Sequence, residues 1–141
     1  MSLTIINRQR AIAVDLTSLQ EFGFRALTEC LKLRRASNPL STLPEVNVVL
    51  VSDRRIVEIH RRFMNAPEPT DVITFQHGEI FISTETAKRQ ALEFRTAFEH
   101  ELRLYLVHGL LHLAGFDDKT SVGAAEMKRL QEKIVTPASL P

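Results

Sequence analysis

One cysteine, Cys30, is all the sequence contains, which excludes an internal disulfide. It lies on the apolar side of an expected helix and reads as a small core residue. No apolar run approaches the length needed to cross a bilayer. The first residues lack the basic, apolar and small-residue order of a secretion signal, so the expected location is the cytoplasm, with no membrane partner. Charge of one sign is also scarce in excess: 18 Lys and Arg stand against 17 Asp and Glu, a formal net charge of +1. Composition alone therefore does not announce a nucleic-acid binder. No internal repeat, low-complexity tract or linker divides the 141 residues. That length suits one domain, residues 1–141, built round one hydrophobic core.

What is present alternates between strand-like and helix-like patterning. Leu3 to Asn7 suits an edge strand. Thr17 with Gln20 three places on has the form of a capping box, and Phe24, Leu27 and Leu31 then recur at helical spacing. Ser37, Asn38, Pro39, Ser41 and Pro44 mark a loop leading into Val46–Val51, whose branched residues predict a buried strand. Ser52 or Asp53 can cap a second helix that turns Ile56, Ile59 and Phe63 to the core. Its remaining surface carries Arg54, Arg55, Arg61 and Arg62. Asn65, Pro67 and Pro69 end that helix. Two alternating runs, Asp71–Gln76 and Glu79–Ser83, flank His77-Gly78 and predict a tight antiparallel hairpin. Ser83 or Thr84 caps a helix reaching about Phe94. A longer apolar helix runs from about Thr96 to Ala114 with Gly115 as its stop, and a last helix from about Ser121 to Ile134. The order β-α-β-α-β-β followed by helices predicts an α+β fold, a small mixed sheet of about four strands covered by helices.

The chemistry concentrates in His108-Gly109-Leu110-Leu111-His112-Leu113-Ala114-Gly115-Phe116-Asp117-Asp118. Residues four apart share a helix face, so His108 and His112 can aim at one point. Gly115 permits the left-handed turn that ends the helix, and the acidic turn after it can return a carboxylate, Asp118, as third ligand. Three protein ligands leave a fourth tetrahedral position open, the pattern of catalytic zinc. One zinc ion is the expected cofactor, and the carboxylate makes the site tolerant of other divalent transition metals. Tyr105 and Glu101, one and two turns before His108, are candidates to orient an imidazole. Helical zinc peptidases also carry histidines four apart, but with a glutamate base after the first; here that place is Gly109.

With both motifs in view, the chain resembles the YbeY-type family of bacterial metal-dependent endoribonucleases, also described as ribosomal RNA maturation factors. His108–Asp117 is similar to the family's His-Gly-x-Leu-His-Leu-x-Gly-Tyr-Asp segment, with Phe116 in the tyrosine place. Pro69–Phe75 is similar to Pro-Thr-Asp-Val-Leu-Ser-Phe, and Gly78-Glu79-Ile80 to Gly-Asp-Ile. The chain departs from that pattern twice: Asp118 stands where the third ligand is normally histidine, and Phe63-Met64 where a tyrosine precedes a functional arginine. Arg61, one turn earlier, is the candidate to bind a substrate phosphate instead. The resemblance implies a single-strand-specific endoribonuclease in ribosomal RNA maturation and ribosome quality control, with RNA and ribosomal components as partners. Alternatives are a non-catalytic ribosome assembly factor whose metal is structural, and a zinc metallopeptidase.

Overall fold

The computed structural model describes residues 1–34, 37–64 and 71–139. The elements in order are β1 (Ser2–Asn7), α1 (Leu16–Leu31), a short 3₁₀ helix (Pro39–Thr42), β2 (Glu45–Val51), α2 (Asp53–Met64), β3 (Val72–Phe75), β4 (Glu79–Ser83), α3 (Thr84–Phe94), α4 (Phe98–Leu113) and α5 (Ser121–Ser139). The expected breakers Asn65, Pro67 and Pro69, and the Pro69-Thr70 start of the second motif, lie outside the described residues.

The sheet has the order β1-β2-β4-β3. β1 and β4 flank β2 in parallel, and β3 closes the antiparallel hairpin with β4. This is the α+β fold with a mixed four-stranded sheet that the patterning predicts. β1 is an edge and β2 is central, with Val46, Val48, Val49, Leu50 and Val51 buried. Alternation along the strands separates two clusters. Val46, Val48, Leu50, Ile80 and Ile82 join the main core with α1, α4 and α5, whereas Val49, Val51, Ile73, Phe75 and Phe81 face Ile56 and Ile59 of α2.

Four boundaries differ from the sequence expectation, each through a competing hydrogen bond or packing demand. Helix α1 is capped by Asp15, which accepts from Ser18 N–H at 3.1 Å, not by a Thr17–Gln20 box. Gln20 instead accepts from Ile5 N–H at 3.0 Å and donates to the Leu3 carbonyl, tying the helix to β1. Helix α4 starts at Phe98 because Thr96 donates its hydroxyl to the Glu101 carboxylate at 2.9 Å. The hairpin turn holds Gln76, His77 and Gly78, with Gly78 at φ +112 donating to the Phe75 carbonyl. Helix α5 runs on to Ser139. Two aromatics placed by periodicity in the core are outside it, Phe24 and Phe63.

Helix α4 is the hub, touching α1, α3, α5, β3 and β4. Apart from the edge that carries Glu99, Arg103 and the histidines, the helix is largely buried, and so wide an apolar surface is stable only when covered in this way. Gly109 makes the enclosure tight, since a Cβ there would stand 2.7 Å from Ile80 Cγ2. Gly109→Ala should therefore lower folding stability by about 1–3 kcal/mol. Urea unfolding checks it, and pairing the change with Ile80→Val should recover part of the loss.

At the far end of the sheet, the Asp53 carboxylate accepts from the Ser83 and Thr86 hydroxyls and the Arg89 guanidinium, while Asp53 N–H donates to Glu85 at 2.9 Å. Partial burial raises the Asp53 carboxyl, but these donors and the Arg89 charge outweigh it and hold its pKa below the usual value. A depressed carboxyl stabilises the fold fully above its unfolded pKa of about 3.9 and loses that effect as pH falls through the folded value. The gap in urea midpoint between the protein and Asp53→Asn should accordingly be present at neutral pH and shrink as pH falls below the usual aspartate range.

Candidate metal centre

Helix α4 ends in a two-bond turn that re-aims the chain. Phe116 N–H returns to the Leu111 carbonyl and Gly115 N–H to that of His112, both at 3.0 Å, with Gly115 at φ +100. These bonds define a Schellman stop. Arg34 braces it from the end of α1, donating to the Gly115 carbonyl at 3.0 Å with its guanidinium 3.8 Å above the Phe116 ring. Asp117 then accepts from Lys119 N–H at 3.1 Å, which occupies that carboxylate locally and leaves Asp118 to face the histidines. Gly123 lets the turn pack on α5, because a Cβ there would meet the Asp117 carbonyl at 2.6 Å.

The result brings all three expected ligands together. The His108 and His112 Nε2 atoms are 2.9 Å apart, and Asp118 Oδ2 is 3.8 Å from His108 Nε2. One ligand atom from each residue lies within 4.8 Å of the other two. The outer nitrogens explain what the inner ones offer. His112 Nδ1 lies 3.1 Å from the Phe116 carbonyl, and His108 Nδ1 lies 2.7 Å from Gln131 Oε1 on α5. Both oxygens accept only, so in the neutral imidazoles each Nδ1 carries the proton. Two Nε2 lone pairs then point at one another, an arrangement that repels unless a cation sits between them. Burial, followed by the proximity of His108, pushes the His112 pKa below its ordinary value, against smaller opposing effects of Asp118, the Phe116 carbonyl and Asp117. A neutral imidazole is the form that binds metal. The donor set thus fits a divalent transition ion by its own chemistry.

Other expected participants sit elsewhere. Glu101, 5% exposed, is taken by Thr96, and Tyr105 is buried on the apolar side; neither orients a histidine, which Gln131 and the Phe116 backbone do. Gln131 had no sequence signal, being 23 residues from its partner on another helix. Arg61 lies exposed on α2, along the stripe of Asp53, Arg54, Val57 and Glu58, and among the described residues nothing joins it to the histidines. Gly109 points into the core at Ile80, so the place of a peptidase's glutamate faces away from the cluster.

The fold and this cluster describe an α+β protein in which two histidines of one helix and an aspartate of the following turn form a group able to hold a metal ion. The family Endoribonuclease YbeY matches residues 4–139, and the chain belongs to that family of endoribonucleases. It is 33% identical over 139 residues to the endoribonuclease YbeY of Aliarcobacter butzleri, covering 90% of this chain and 96% of that one. Against the endoribonuclease YbeY of Thermotoga maritima it is 41% identical over 100 residues, 64% and 65% of the two chains. A solution structure of a Thermotoga maritima protein superposes with a TM-score of 0.65 at 31% identity, covering 96% of this chain and 88% of that one.

Gln131→Ala should weaken zinc affinity about 10- to 100-fold while leaving the fold intact, the usual cost of losing an orienting partner. Competition against a chromophoric chelator measures it; unchanged affinity would remove Gln131 from the site.

Proposed function

We propose that this chain is a single-strand-specific, zinc-dependent endoribonuclease, one domain over residues 1–141, acting in ribosomal RNA maturation and ribosome quality control in the cytoplasm. Ribosomal RNA and ribosomal components are its partners in this reading. The observation that carries it is the pair of opposed His108 and His112 Nε2 atoms, 2.9 Å apart, with the Asp118 carboxylate beside them. Membership of an endoribonuclease family supports the reaction class.

In this reading His108, His112 and Asp118 hold one ion. A bound zinc ion supplies Lewis acidity towards a phosphoryl oxygen. The Phe116 carbonyl and Gln131 keep both imidazoles in the ligating tautomer, and the Schellman turn keeps Asp118 in reach. Asp118 lowers the charge of the centre by one relative to a third imidazole. Arg61, on the last turn of α2, is the residue assigned to a substrate phosphate flanking the scissile one. The peptidase alternative loses support because Gly109 faces Ile80 and supplies no base.

Metal analysis of the purified protein, followed by incubation with single-stranded RNA with and without chelator, tests the proposal. The expected outcome is one bound zinc, cleavage stopped by chelator and restored by zinc, and loss of both properties in His108→Ala and His112→Ala. Arg61→Ala should retain the metal but cleave more slowly. Retained metal without any cleavage would instead establish the assembly-factor alternative.

A further inference from the structure

The sheet has a second face, away from α4, that the proposed catalytic group does not use. Helix α2 packs there on β3 and β4, with Ile56 and Ile59 against Ile73. Beyond the helix the face opens into a groove of about 440 Å³ lined by Ile6, Arg8, Val49, Arg55 and Phe81, among others. At the hairpin end the groove gives onto a chain of touching rings. Phe81 meets Phe75 edge-on at 5.8 Å, Phe75 meets Phe63 edge-on at 5.6 Å, and His77 lies nearly parallel to Phe75, at 20° and 5.8 Å. Phe63 is 59% exposed and the His77 side chain 67% exposed. Glu79 holds the His77 ring through a contact of 2.6 Å, and the Arg62 guanidinium stands 5.6 Å from the Phe63 ring.

The Phe63 ring is left open to solvent, and an exposed imidazole is stacked on its neighbour Phe75. Flat π-faces bordered by arginines are what unpaired bases and their phosphates need. The position is also suited to the proposed cleavage site. Ile80 follows Glu79 directly on β4, turns to the opposite face and lies under Gly109, between His108 and His112 in sequence. The hairpin thus touches α4 at the turns that bear the histidines, through Ile80 on the side of the helix away from the cluster.

We propose that Phe63, Phe75 and His77 form a stacking ledge for unpaired RNA bases, and that Arg8 and Arg55 in the adjoining groove, with Arg62 beside Phe63, carry the phosphates. This rests on the reading that the chain acts on single-stranded RNA, and it supplies a basis for strand selectivity: bases already paired in a duplex cannot lie flat on the rings. Stacking is tolerant of base identity, so selectivity for unpaired structure is expected with little preference for sequence.

The test is binding of a short labelled RNA strand, and of its duplex, to the full chain under chelator, so that affinity is read without turnover. The protein should bind the single strand in preference to the duplex. Phe63→Ala and His77→Ala should each weaken single-strand binding about 5- to 100-fold, with unchanged thermal unfolding because both side chains are exposed. Phe63→Tyr and His77→Phe, which keep a ring, should restore it. Arg8→Ala or Arg55→Ala should lower the salt dependence of binding by about 0.7 in slope for each phosphate no longer neutralised. Cleavage of RNA by the parent protein, with unchanged affinity in both alanine variants, overturns the ledge and leaves the ribonuclease reading standing. Absence of single-strand binding by the parent protein overturns both. Loss of self-association in the alanine variants, with RNA affinity unchanged, would make the ledge an interface between copies of the chain and overturn it as an RNA surface.

Discussion

The approach of α4 to β4 is the constraint on which the candidate site depends. A helix of 16 residues with so wide an apolar surface has to be covered over most of it, and here α1, α3, α5, β3 and β4 cover it. Gly109 allows the backbone to settle on Ile80, and a side chain at that place would lift the helix or displace the strand. Fixing one side of the last two turns against the sheet fixes the direction of the opposite side, where His108 and His112 project. Their convergence is a consequence of core packing and owes little to the surface around them.

The remaining precision comes from backbone geometry at the helix end. The Schellman stop does two things with one turn: it satisfies the final carbonyls of α4, and it presents the Phe116 carbonyl to His112 Nδ1. Arg34 clamps the same turn from outside, by a hydrogen bond to Gly115 and by lying over Phe116. Because Nδ1 of each histidine faces an acceptor, the neutral imidazoles keep both Nε2 lone pairs free for a cation. The cost is two facing lone pairs, a repulsion that a shared cation converts into coordination.

Much of this was legible in the residues. The His-x-x-x-His spacing, Gly115 and the acidic turn encode local geometry, and local geometry is what sequence patterns report. The strands and their order were likewise visible in alternation and branching. What escaped was set by distant partners. Gln20 looked like part of a cap because its spacing from Thr17 is right, yet the unpaired edge of β1 competes for its amide. Glu101 and Tyr105 share the histidine face on a helical wheel, but Thr96 and the core take them first. Gln131 reaches His108 only because α5 folds back along α4. Phe63 fits the apolar stripe of α2, yet it meets the sheet only edge-on at Phe75 and stays exposed.

The two departures from the family pattern bear on one quantity, the charge offered to a phosphate. Asp118 in place of histidine would lower the net charge of an occupied cluster by one unit, and Met64 in place of arginine removes a positive charge from the sequence of α2. Arg54, Arg55 and Arg61 stand along α2 with Arg8 across the groove, while Arg34 is the arginine at the Gly115–Phe116 turn beside the cluster. In the proposed reading the phosphate backbone is drawn chiefly to the arginine-bearing face of the sheet, and the chemistry falls to the separate His108–His112–Asp118 group. Such a division favours a substrate long and flexible enough to reach both places, and an unpaired strand bends round a hairpin more readily than a stiff duplex does.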